Sequence, residues 1–241
     1  MTTADGWTQG VRRHQVGLGR LLPLGGAHDG VWISEEAAEA VLRRAAMVMR
    51  GVRLDALRIV LSDPEHASEA AVLPPPSALP PGPLRVTADF AATAAEPLPA
   101  TADRLRALLA AAATERLGLK VTEVDLRVTA LLDEDAEPAS VRQPEPAQAA
   151  EPGTGDEERV TAAALAVPGV SELTGALGGL GQAVHIETRH GTAVLPHRHV
   201  RVEIAVSGDH RALDVAREVR KRVRTALADH PTVAVLVTAV G

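Results

Sequence analysis

Three histidines are the residues of this chain whose spacing most suggests chemistry. His197 and His199 stand two apart, so both point to one side of an extended segment, with His190 across the turn from them. Imidazoles so placed could hold zinc or copper and serve a metal-dependent hydrolase. No carboxylate lies at a matching spacing, so solvated hairpin histidines are expected and neither a metal nor another cofactor is assigned. Asp214, Glu218 and Asp229 lie on or just beyond an amphipathic helix, and Asp133-Glu134-Asp135 opens an acidic stretch. Neither set forms paired carboxylates in a cleft, so no catalytic residue is assigned. Gly175, Gly178, Gly179 and Gly181 follow a helix and precede a strand, the reverse of a phosphate loop.

The basic residues are more specific. At about 100° per residue, Arg217, Arg220, Lys221 and Arg224 fall within one narrow arc of a helix, while Val215, Val219, Val223 and Ala226 face the other way. The matching helix earlier in the chain has only Arg104, Arg106 and Arg116. The stripe is thus a candidate interaction surface for something anionic: a lipid surface, an acidic partner, the chain's own acidic linker, or nucleic acid bound by a helix over 211–228.

Composition narrows the classes. The chain has 241 residues, 46% hydrophobic, yet its aromatics are only Trp7, Trp32 and Phe90. A core of Ala, Val, Leu and Ile follows, and stacking platforms for bases are nearly absent, which argues against single-strand binding. With no cysteine, disulfide and thiolate chemistry is excluded. Net charge is −6, but residues 159–241 carry 10 Arg/Lys against 7 Asp/Glu, or +3, leaving −9 for residues 1–158. No run approaches the roughly 20 apolar residues of a membrane span, so a cytoplasmic protein is expected, without direct membrane insertion.

The elements that must position these residues occur twice. Ala46–Val52 returns as Ala164–Val170, and Ala71-Val72-Leu73-Pro74 as Ala193-Val194-Leu195-Pro196. Arg85-Val86 returns as Arg201-Val202, and Leu126–Leu131 as Val235–Val240. Four echoes in one order indicate duplication. The expected fold is α+β: two tandem α-β-β-α-β domains, each a small three-stranded mixed sheet covered by two helices. The first spans 31–132 and the second 158–241, after an irregular lead-in over 1–30 and across an acidic, proline-rich linker over 133–157.

Ser34 should cap the first helix and Asp209 the last. Prolines 74–83 mark a loop inserted in the first copy. An antiparallel register with Glu187 facing Arg201 sets His185 opposite Glu203 and Arg189 opposite His199. The same register puts Val184 opposite Ile204 and Ile186 opposite Val202 on an apolar face.

The order helix, two strands, helix and a closing Val-x-Val-Thr-type strand resembles the alkaline shock protein family of envelope stress response proteins. The resemblance rests on Gly30-Val31-Trp32-Ile33-Ser34 leading into a helix ended by Gly51-Val52, and on Ala166-Val167-Pro168-Gly169-Val170. It also rests on Gly118-Leu119-Lys120-Val121-Thr122-Glu123-Val124-Asp125-Leu126-Arg127-Val128, with a degenerate form at Val233–Val240. It covers roughly 30–132 and 158–241. The tandem arrangement, Arg50-Gly51 in place of Pro-Gly, and the proline-rich insertion depart from the family pattern. The resemblance implies a non-enzymatic, self-associating scaffold or adaptor, held near the membrane by a small membrane-anchored protein.

Overall fold

At Ser34 the chain turns from strand to helix. The Ser34 hydroxyl oxygen accepts from the Ala37 N–H at 3.2 Å, and Glu35 and Glu36 occupy the first turn, where the helix dipole favours them. In this computed structural model, which describes residues 19–133, 145, 147–153, 155–176, 181–189 and 197–241, Ser34 ends the second of two short strands. They are β1 (Leu21–Pro23) and β2 (Val31–Ser34), and helix α1 (Glu35–Ala46) follows. Next come β3 (Val52–Leu61), β4 (Leu84–Thr93), helix α2 (Leu98–Ala111) continued by a π-helical turn to Leu117, and β5 (Val121–Leu132). The later half holds α3 (Asp156–Leu165), β6 (Val170–Leu173), β7 (Val184–Arg189), β8 (His197–Val206), α4 (Ala212–Ala226) and β9 (Thr232–Val240).

The described residues form a mixed α+β fold with four α-helices and two mixed sheets. In the first sheet β3 is antiparallel to β4, and β4 is parallel to β5. In the second, β6 and β7 lie end to end along β8, both antiparallel to it, and β8 is parallel to β9. The Gly-rich segment after Thr174 therefore interrupts one strand position rather than joining a helix to a strand.

The β1–β2 pair was not expected. It adds to the second sheet, with β2 parallel to β9 in the register Val31↔Val235, Trp32↔Leu236, Ile33↔Val237. Val31, Trp32 and Ile33 are all buried, which explains why no alternation marks them: a strand covered on both faces reads as a plain apolar run. Val31 and Ile33 join the main core, while Trp32 packs with Leu21, Val72, Ala234 and Leu236 on the other face.

That second face is closed by the proline-rich loop. Leu79 N–H donates to the Leu21 carbonyl at 2.8 Å, and Trp32 Nε1 donates to the Leu79 carbonyl at 3.3 Å. Helix α1 packs against both β9 and β3, so one continuous apolar core joins the two sheets. Gly118 shows how closely the halves fit. Its φ of +91° suits glycine, and a Cβ there would lie 2.5 Å from Leu213 Cβ on α4.

Two further expectations are corrected. Asp209 does not cap α4; Arg211 holds the cap position without a side-chain bond, and the Asp209 carboxylate accepts from the Ser207 hydroxyl. The β7–β8 register is displaced by two residues, with His185 opposite Arg201, Glu187 opposite His199, Val184 opposite Val202 and Ile186 opposite Val200. Alternation settles which face a side chain takes, and a two-residue slip leaves every face unchanged.

Trp32→Ala should cost about 3–5 kcal/mol in urea unfolding, through the cavity left against Leu236 and Val72. Trp32→Phe, which keeps most of the volume but loses the bond to Leu79, should cost clearly less.

Candidate functional site

Helix α4 buries Val215, Ala216, Val219 and Val223 and turns its basic stripe outward. Arg217, Arg220, Lys221 and Arg224 do come together, and with Thr225 and His230 they line a surface groove of about 460 Å³. The His230 backbone takes φ +48°, and its Nδ1 lies 3.1 Å from the Arg224 carbonyl.

The four cations divide into two pairs by what they touch. Arg217 makes two bonds to the Asp29 carboxylate, at 2.8 and 3.0 Å, and Asp29 also accepts from the Gly26 N–H. Burial alone would raise the Asp29 pKa. The Arg217 and Gly26 bonds, with the charges of Arg217 and Lys120, outweigh it and hold the carboxyl below its ordinary range. Arg220 donates to the carbonyls of Val233 at 3.1 Å and His28 at 2.9 Å; its burial lowers its pKa. These two arginines fasten the turn before β2 onto the later half. Lys221 lies exposed, 3.7 Å from Glu218, and Arg224 has no side-chain partner among the described residues. An incoming anion would therefore meet chiefly Lys221 and Arg224.

The histidines do not converge in what is described. His190 lies outside the described residues. His197 is exposed at the start of β8, whereas His199 is buried with Nδ1 2.9 Å from Thr232 Oγ1. Among the described residues no three His, Cys, Asp or Glu side chains are grouped to hold a metal ion.

The expected approach of His185 to Glu203 is part of a larger polar cluster, although the two are not directly opposite. Glu203 is fully buried beside the break between β6 and β7, and its Oε2 accepts from the Ala176 N–H at 2.8 Å. His185 Nε2 and Arg201 Nε stand 3.9 and 4.0 Å from its other oxygen. Glu203 main chain also bonds Thr174 and Ala183 on either side of the break. The group holds Ala176 to the sheet. Alternation in Val202-Glu203-Ile204 puts Glu203 on the charged face but gives no sign of its burial.

A second surface is the outer edge of β5. No described residue pairs with it, and eight of its twelve residues are exposed, including Val128 at 39% and Leu131 at 65%. Strand β9, at the same position in its sheet, is buried apart from Thr232 because β2 lies alongside it. Among the described residues no helix is long and apolar enough to cross a membrane. Compared with known proteins, the chain matches no family model and no curated sequence.

The Asp29 pKa sets a pH dependence. A folded-state value below the unfolded one stabilises fully above the ordinary carboxylate pKa, and that contribution is lost as pH falls through the folded-state value. Asp29→Asn should therefore lower stability at pH 7 and flatten its decline between about pH 5 and pH 2. Urea midpoints across that range check it. Lys221→Ala, at an exposed side chain, should change stability by less than about 0.5 kcal/mol.

Proposed function

We propose that this chain is a non-catalytic, self-associating scaffold or adaptor of the cell envelope stress response, recruited to the inner face of the membrane through a membrane-anchored partner. The observation that carries the reading is the β5 edge, uncovered among the described residues, a long strand offering main-chain groups and the exposed Val128 and Leu131 to another polypeptide. The resemblance to alkaline shock proteins supports it. So does the shared strand order of the two sheets, antiparallel then parallel, which favours two related domains over 31–132 and 158–241.

Fractionated source cells test the recruitment. The chain should sediment with membranes, be released when surface proteins are shaved by protease, and show no affinity for protein-free vesicles. Recovery only in the supernatant, with and without envelope stress, would contradict the reading.

A second reading is nucleic-acid binding through the α4 groove, favoured by the convergence of Arg217, Arg220, Lys221 and Arg224. Lys221→Glu with Arg224→Glu separates the two. If the groove binds duplex DNA, affinity falls steeply with salt and the double variant loses it; under the adaptor reading the wild-type chain shows no such binding.

A further inference from the structure

We infer that two copies of this chain join edge to edge through β5, antiparallel, about a two-fold axis at Leu126. The inference rests on the self-associating reading above and names its surface.

The two sheets share a strand order but differ at one edge. In the second sheet the outer side of β9 is taken by β2. In the first, none of the described residues between β5 and α3 pairs with β5; among them Gln148 bridges to Thr174. Among the described residues β5 is left with its outer side uncovered. Sheet edges are usually blunted by proline, by lysine, by shortness or by a charge turned inward. Strand β5 has twelve residues, no proline and no lysine; it bulges against β4 at Thr122 and Thr129, toward its ends, and leaves Glu123–Val128 regular. Val124 and Leu126 pack on the core side, Val128 follows on the same face but is exposed, and Glu123, Asp125 and Arg127 lie on the other face. One side chain reaches its main chain: Arg106 Nε donates to the Val124 carbonyl at 3.1 Å and must turn aside on pairing.

The occupant follows from the charges. With Leu126 opposite Leu126 of a second copy, Asp125 faces Arg127 twice over and Val124 faces Val128, all within the regular stretch. The two nearest registers that preserve the faces fail: one sets Asp125 against itself, the other Arg127 against itself. A one-residue slip reverses the faces. Asp125 and Arg127 side chains are 63% and 76% exposed, so each can reach across while Asp125 stays 3.7 Å from Arg85 and Arg127 keeps Asp89. The contact is isologous and closes as a dimer, extending the first sheet to six strands.

Sedimentation velocity on the full chain tests this, with circular dichroism to confirm folding. The wild-type chain should dimerise, and Asp125→Arg or Arg127→Asp alone should weaken the dimer by at least about tenfold, because each homodimer sets two like-charge pairs face to face. An equimolar mixture of the two variants should recover dimerisation, since every cross-strand pair in the heterodimer is again complementary. Because the chain has no cysteine, Leu126→Cys gives an independent readout. Directly opposed Cα atoms lie about 4.5–5.5 Å apart, within disulfide range, so mild oxidation should cross-link it. Dimers that survive both charge variants, or a mixture that fails to recover, overturn the β5 pairing and leave the adaptor reading standing on another surface. A wild-type chain that stays monomeric at every concentration overturns both.

Discussion

The parallel pairing of β2 with β9 is the constraint from which the rest follows. Three residue pairs, Val31 with Val235 through Ile33 with Val237, splice the start of the chain into the sheet made by its end. Ser34 secures the junction from both directions. Its hydroxyl donates to the Thr238 carbonyl at 3.2 Å, and its oxygen accepts from Ala37 to begin α1. Once that junction is set, α1 must run across both sheets, and its buried Val41 and Leu42 belong to the core of each. Arg44 then reaches the Val240 carbonyl near the far end of β9.

The same junction gives the charged and proline-rich segments their roles. The turn before β2 brings Asp29 and the His28 carbonyl beneath α4, where Arg217 and Arg220 hold them. Arg211 on the first approach to α4 bonds the Thr114 carbonyl in the π-helical turn. The loop between β3 and β4 lies over Trp32 and Leu21 and hides the face of the second sheet that a lone domain would leave wet. Two halves of similar strand order thus end up unequal. Among the described residues one has its last strand enclosed and the other has it uncovered, and the proposed association uses the uncovered one.

Much of this was legible from periodicity. Val215, Val219 and Val223 opposite Arg217, Arg220, Lys221 and Arg224 repeat at helical spacing, so both the element and the cluster could be read directly. Ser34 followed by two glutamates announced its cap. Long-range partners carry no such signature. Nothing near Asp29 in sequence points to Arg217, and a four-residue strand buried on both faces looks like the approach to a helix. The β7–β8 register shows the same limit: alternation assigned the faces of Val184 and Ile186, but the position along β8 depends on the break at Thr174 and the burial of Glu203 beneath it.

Hydrogen–deuterium exchange followed strand by strand, in dilute and in concentrated protein, tests the central asymmetry most directly. The account predicts that β9 and β2 amides exchange slowly at both concentrations, while the outward amides of β5 exchange quickly when dilute and slow on concentration. A β5 as protected as β9 in dilute solution, or a β2 that exchanges freely, would contradict it.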